Sequence, residues 1–410
     1  MALLNKGLKY SLYHKDKHRL SNLTLEAEAA LTPLSPPQQE HIRHQVAHNH
    51  RKLYKHHNNT PSPKTPRNEM KIVNQIKKNL SDANAMVTEA DKGNSMIIIY
   101  ESDYTSKVQD FISNSNFELV PRDVTNKLQR DIKNTINECK VNFHKQNKWK
   151  YTSLKPTTPT LRSLIKIHKA ESPIRPVVNW MNTPAYKPAK MLVKLLQTHT
   201  PLPYTFNVTN STHLTSDLAD IPYDHKLRLA SFDISNMYTN IPTHKPLSII
   251  DTACNNNLVE ERLKRDINLS KTIIDQNYFQ FEDMTYKQHE GLAMGAPTSS
   301  IFSEFYLQYQ ENSRIYDILR IHITGYFRYV DNILIIHDDS TTNIEDFLQC
   351  FNNLTPKLKF TLEKEVGHRI NFLDLTIHRE HNKSLQTFTG SRPSRTPSLS
   401  TTHATRRNIN

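Results

Sequence analysis

The order of elements between Leu227 and His378 predicts an α+β fold in which a small antiparallel sheet is backed by helices. Three observations carry this. Leu229–Ile234 is an apolar, strand-length run followed by a turn and a helical stretch, Lys245–Asn255. Tyr326–Tyr329 and Ile333–His337 are two short apolar runs joined by Val330-Asp331-Asn332, which reads as a hairpin with acid at its tip. Helical stretches at Ser299–Tyr316 and Ile344–Leu354 bracket that hairpin, and strands follow at Phe360–Glu363 and Phe372–His378.

The rest of the chain divides around this core. Residues 1–68 are rich in His, Lys, Asn and Pro and read as a basic extension, with a helix near Thr24–Glu28 and a basic helical face over His41–His57. It ends in Pro61-Ser62-Pro63-Lys64-Thr65-Pro66, where three prolines in six residues forbid regular pairing and mark a linker. Residues 69–226 form a second region. There a helix at Met70–Leu80 leads through the turn Asp91-Lys92-Gly93-Asn94 to Met96–Tyr100, a β-branched run predicted to be a buried strand. Helices are predicted at Asp103–Ser113, Val124–Cys139 and Pro184–His199, with a basic strand-like piece within Leu161–Asn179. Residues 227–380 hold the sheet, and 381–410 form a Ser, Thr, Arg and Pro tail that has nothing to bury and is predicted to be disordered. No internal repeat is visible.

Composition narrows the function class. The chain has 410 residues and a net charge of +13, an excess that implies a polyanionic partner, usually nucleic acid. Cys139, Cys254 and Cys350 lie far apart and form neither a disulfide framework nor zinc-ligand spacing, which fits a reducing compartment. No apolar run approaches the roughly 20 residues a membrane helix needs. Lys6, Lys9 and His14 interrupt the apolar residues after Met1, so no secretory signal is read there. The expectation is a soluble intracellular protein without a membrane partner.

Two acids stand out. Asp233 ends an apolar strand and Asp331 sits at a hairpin tip. A lone Asp in either place is ordinarily a turn or cap residue. Together they are the hard oxygen ligands that would suit two Mg²⁺ ions about 4 Å apart, the arrangement that stabilises phosphoryl transfer.

The surrounding residues resemble a family. Phe232-Asp233-Ile234-Ser235-Asn236-Met237-Tyr238, Gly291-Leu292-Ala293-Met294-Gly295-Ala296-Pro297, Tyr329-Val330-Asp331-Asn332 and Asn371-Phe372-Leu373-Asp374-Leu375 stand in the order of reverse transcriptase motifs A, B, C and E. Ala90-Asp91-Lys92-Gly93-Asn94, Lys166-Ile167-His168-Lys169 and Ile174-Arg175-Pro176 are similar to segments of Penelope-like retroelements, relatives of telomerase reverse transcriptases. Leu4-Asn5-Lys6-Gly7-Leu8-Lys9-Tyr10 resembles the upstream region of such elements.

The resemblance implies a right-hand polymerase with fingers in 69–226 and palm in 227–380. It implies an RNA-directed DNA polymerase that takes an RNA template, a DNA primer and deoxynucleoside triphosphates. It also implies two Mg²⁺ ions, with Mn²⁺ as a substitute, held by Asp233, Asp331 and the backbone carbonyl of Ile234, with Asn332 beside them. Tyr238 falls at the steric gate that rejects a 2′-hydroxyl. Gly291, Gly295 and Pro297 fall where the nucleotide and template pocket is lined, and Gly permits close backbone approach. Lys166 and Arg175 match the positions that hold the triphosphate, where Arg grips phosphate bidentately and Lys acts as a point charge. Lys359 and Lys364 are alternative proton donors to pyrophosphate, and Asp374 is assigned to holding the primer-grip hairpin. A nuclear site of action is implied, with the basic run His50–Lys55 as a weak import signal.

The chain departs from the pattern twice. Asn332 stands where the family carries a second aspartate; the amide keeps a ligand oxygen but loses a charge, which predicts weaker metal binding near Asp331. After Ile377 the chain runs into Gly390-Ser391-Arg392-Pro393-Ser394-Arg395 instead of a thumb, as expected of a truncated element copy. Two readings stay open: a working polymerase, or a catalytically dead relic that retains nucleic-acid binding. A telomerase catalytic subunit is a third, for which the first 68 residues are too short and polar to supply an RNA-binding domain.

Overall fold

A computed structural model describes residues 34–59, 67–92, 95–139, 148–167, 171–202, 206–222, 224–257, 259–379 and 386–389, with positions 28, 31 and 169. The helix expected near Thr24, the Pro61–Pro66 linker, the Leu4–Tyr10 segment and residues 390–410 lie outside them, as do Gly93, Asn94 and His168. The fold is α+β, with antiparallel and mixed sheets.

Fourteen strands are described: β1 (Ala85–Glu89), β2 (Met96–Tyr100), β3 (Phe117–Val120), β4 (Thr160–Ile165), β5 (Ile174–Asn179), β6 (Leu227–Ser235), β7 (Tyr278–Phe281), β8 (Met284–Gln288), β9 (Ile323–Tyr329), β10 (Asn332–Asp338), β11 (Lys359–Lys364), β12 (Arg369–Phe372), β13 (Leu375–His378) and β14 (Gln386–Thr389). They fall in two compact units that interleave along the chain. The first comprises Met1–Lys194, Val259–His289 and Met294–Pro297; the second comprises Leu195–Leu258, Glu290–Ala293 and Thr298–Asn410.

In the first unit a five-stranded sheet runs β3-β8-β7-β4-β5, antiparallel except where β4 meets β7. On β4, Leu161, Ser163 and Ile165 are buried and alternate with Thr160, Arg162 and Leu164, the period of a strand covered on one face. The β7–β8 hairpin turns through Glu282, whose φ is 52°, without the Asn-Gly pair that advertises such turns in a sequence.

A separate ribbon, β1-β2, corrects one expectation: β2 is not buried, since Ile98 is 59% and Tyr100 60% exposed. A continuous apolar run reveals strand length, but not whether both faces are covered. Here the ribbon has only two strands, and the face bearing Ile98 and Tyr100 is left open.

The second unit holds a four-stranded antiparallel sheet, β11-β6-β10-β9, and a three-stranded sheet, β12-β13-β14. β10 is buried from Ile333 through His337, so it reads as an unbroken apolar run. On one face, Phe232 meets the rings of Phe347 and Phe351 from helix Ile344–Leu354 and of Phe360 from β11. On the other, Leu227, Leu229, Leu334 and Ile336 join Leu214 and Leu218 of helix Ser211–Ala219 and Ile370, Phe372, Leu375 and Ile377 of the smaller sheet. Burying such side chains stabilises the layer by about 1.5–3 kcal/mol each.

Two further expectations are corrected here. Phe372–His378 is not one strand: it breaks at Leu373-Asp374, where Leu373 has φ 56°, to form the β12–β13 hairpin. The helix at Ser299 continues beyond Tyr316, through a π turn at Glu311–Ile315, to His322. No disulfide joins the three cysteines, and burial pushes the Cys139 thiol up to about 12, so it is inert rather than reactive. No helix among the described residues is long and apolar enough to cross a membrane.

Candidate active site

β6 and β10, the two central strands of the second unit's main sheet, bring the two acids together at one end of it. Asp233 lies directly opposite Asn332 in the β6–β10 register, and the Ile234 N–H donates to the Asp331 carbonyl at 2.9 Å. Asp331 therefore sits one step beyond the last ladder pair, in a two-residue loop, since Tyr329 pairs with Asn332 across the hairpin. Asp233 is exposed and Asp331 half-buried. The Asn332 amide donates to Asp331 Oδ1 at 2.9 Å, a bond that an ionised aspartate at 332 could not make.

Two carboxylates and an amide oxygen at one end of a sheet are hard donors, the chemistry that suits a divalent ion such as Mg²⁺. Among the described residues no group of three or more His, Cys, Asp or Glu side chains is poised to hold a metal.

The loop is unusual. Val330 has φ 56°, in the left-handed region that β-branched residues avoid, at a cost on the order of 1–3 kcal/mol. Beneath it lies Arg328, whose side chain is completely buried. Its Nε and Nη2 donate to Glu311 at 2.6 and 3.2 Å, its Nη1 and Nη2 to Glu304 at 2.9 Å each, and Nη1 also to the Val330 carbonyl at 3.3 Å. Burial raises the Glu311 carboxyl, and Arg328 with the Tyr326 hydroxyl works against that shift. Burial also disfavours the Arg328 charge, but the two carboxylates outweigh it. The sequence reading missed all three residues.

Tyr238 lies half-buried in the short helix Met237–Asn240, entered through Asn236 at φ 49°. Its carbonyl accepts the Leu292 N–H at 2.6 Å, which ties it to the residue after Gly291. Gly291 is buried and has φ 85°, a conformation that L side chains rarely adopt.

The remaining candidates belong to the first unit. Lys166 follows β4, and its N–H donates to the Pro173 carbonyl at 2.8 Å, which closes the loop between β4 and β5. Arg175 on β5 places Nε 3.1 Å from Asp91 Oδ1; its side chain is 45% exposed, that of Asp91 only 1%. The Asp91 N–H donates to the Ile165 carbonyl at 2.9 Å, so three motifs distant in sequence converge at the end of β4. Gly295 has φ 108°, and a Cβ there would lie 2.2 Å from the Val178 carbonyl oxygen on β5. The Val178 N–H donates to the Met294 carbonyl at 2.7 Å beside it. Pro297 follows, half-buried.

Of the other assignments, Lys364 is paired with Glu345, while Lys359 is exposed opposite Ser235. Asp374 accepts the Ser211 hydroxyl and so pins the β12–β13 turn to helix Ser211–Ala219.

This architecture is similar to that of solved telomerases. It is similar to telomerase from Candida albicans in complex with a TWJ fragment of telomeric RNA, with a TM-score of 0.53 and 14% identity over 80% of this chain and 57% of that one. Apo telomerase from Candida tropicalis matches with a TM-score of 0.51 and 11% identity over 73% of this chain and 56% of that one. The Candida tropicalis telomerase in complex with a TWJ fragment matches with a TM-score of 0.51 and 13% identity over 78% and 53%. The chain thus spans little more than half the length of these telomerases, and at such identities the likeness is one of fold. No family model matches the sequence, and no curated protein does.

Proposed function

We propose that this protein is an RNA-directed DNA polymerase of a Penelope-like retroelement, with the sheet β11-β6-β10-β9 as its palm. The observation that carries this reading is that Asp233 and Asp331 lie on neighbouring central strands at one end of an antiparallel sheet, one at a strand end and the other at a hairpin tip. Asp233, Asp331 and the Ile234 carbonyl would hold two Mg²⁺ ions. When bound, such ions lower the barrier by acidifying the primer hydroxyl and spreading the charge of the reacting phosphate.

In the reaction the primer 3′-oxygen bonds to the α-phosphorus of a deoxynucleoside triphosphate, the bond to the bridging oxygen breaks, and pyrophosphate leaves. Tyr238 is assigned to the sugar, where its ring would exclude a 2′-hydroxyl. Lys166 and Arg175 are assigned to the triphosphate. Arg175 shares its guanidinium with Asp91, so it would use its outward donors. The net charge of +13 suits an RNA template and DNA primer.

Asn332 favours a second reading, a relic that binds nucleic acid without extending it. Primer extension on an RNA template with Mg²⁺ or Mn²⁺ separates the two. Extension is expected in the parent and should fall by at least about a thousandfold, on the order of 4 kcal/mol of barrier, in Asp233→Ala. Silence in the parent with rescue by Asn332→Asp would mean that position 332 alone had disabled the site. Silence in both, with duplex still bound, would establish the relic.

A further inference from the structure

Every donor of the buried Arg328 guanidinium is used, and the pattern connects two elements that carry different motifs. Glu304 lies on helix Ser299–Gln310, which begins just after the Gly291–Pro297 segment. Glu311 opens the π turn that follows that helix, and π turns concentrate at functional positions. Glu304 also accepts from Gln308 and Asn207, and Glu311 from the Tyr326 hydroxyl, so both carboxylates are fixed from several sides. The Arg328 backbone is held as well: its N–H donates to the Phe206 carbonyl at 2.7 Å and its carbonyl accepts the Val208 N–H at 2.8 Å. From this fixed base one donor reaches the carbonyl of Val330, the left-handed residue that immediately precedes Asp331.

We propose that Arg328 is a positioning residue for the proposed polymerase reaction: its guanidinium, clamped by Glu304 and Glu311, holds the Val330-Asp331 turn in the conformation that presents the Asp331 carboxylate beside Asp233. The inference rests on the two-carboxylate reading of the site. A salt bridge that only filled the interior would need no bond to the turn. A lysine could not replace the arginine, because three donors on one nitrogen cannot span two carboxylates and a carbonyl.

The test uses the full-length chain with Arg328→Lys, and with Arg328→Met/Glu304→Gln/Glu311→Gln. The triple variant removes the buried charges together, so that no charge is left unpaired. Two readouts are taken: Mn²⁺ binding followed by the paramagnetic resonance signal of the free ion, and hydrogen exchange at the Ile234 amide, which the Asp331 carbonyl holds.

Both variants are expected to fold, to weaken Mn²⁺ binding about tenfold, as loss of groups that orient metal ligands generally does, and to exchange faster at Ile234 than at neighbouring sheet amides. Unchanged Mn²⁺ affinity and unchanged Ile234 exchange in a folded variant would overturn the proposal and reduce Arg328 to packing. Asp233→Ala is the control for the underlying reading. If it leaves Mn²⁺ binding intact, that reading fails, and Ile234 exchange still decides whether Arg328 holds the turn.

Discussion

The two units hold their motif-bearing loops by opposite means. In the second, a loop that displays negative charge is fixed from below by a buried cation, Arg328, with all its donors matched. In the first, a strand that displays positive charge, β5 with Arg175, is drawn to a buried anion, Asp91. Here the match is loose: neither carboxylate oxygen of Asp91 accepts a hydrogen bond, and Arg175 supplies charge at 3.1 Å without hydrogen-bond alignment. What is rigid beneath Arg175 is backbone, where β5 meets the Met294-Gly295 segment. A side-chain clamp suits groups that must keep a fixed separation. A loose pair on a stiff strand suits the role proposed for Arg175, since its guanidinium could turn toward a triphosphate.

Gly295→Ala should break that contrast most severely. The added methyl has no room against the Val178 carbonyl, and the backbone is already at φ 108°. A loss of about 3 kcal/mol or more in urea unfolding is expected. A loss under about 1 kcal/mol would mean that the first unit yields, and that β5 is not the rigid support described.

Asp91→Asn tests the loose pair itself. Removing the buried charge leaves Arg175 without its tether, so the apparent KM for deoxynucleotide should rise about tenfold, equivalent to about 1.4 kcal/mol, while kcat stays within about twofold. A fall in kcat with KM unchanged would instead place Asp91 in support of the reacting groups.

Much of the second unit's geometry was legible in the residues. β10 declares itself because five consecutive buried positions produce an apolar run, and the acids declare themselves because they interrupt such runs at their ends. Arg328 was not legible. It follows Tyr326 and Phe327 in a strand where a charged residue ordinarily faces water, and its partners sit two helical turns apart on a mostly buried helix. Only folding reveals that three charged residues share one interior site. The Arg175–Asp91 pair was hidden for a similar reason: the turn was evident, its partner was not. The β7–β8 hairpin was missed because Glu282-Asp283 lacks a turn signature.

The smallest expected effect extends the comparison to a buried group with one unpartnered ring nitrogen. His337 on β10 is 2% exposed, and its Nδ1 meets no hydrogen-bond partner. Burial holds its pKa below the ordinary histidine value, although Asp339 and Glu365 pull the other way. The unfolded chain therefore binds the proton first. Stability is fully present above about pH 6.5 and is lost as pH falls through the window between that value and the folded one. The slope from this single site cannot exceed about 1.4 kcal/mol per pH unit. Urea unfolding at pH 7.5, 6.5 and 5.5 should show the decline, and His337→Leu should flatten it while leaving the pH 7.5 value within about 1 kcal/mol. Equal slopes in parent and variant would assign the acid sensitivity to other histidines, and would mean that β10 tolerates a charge in an interior where Arg328 needs two carboxylates to keep its own.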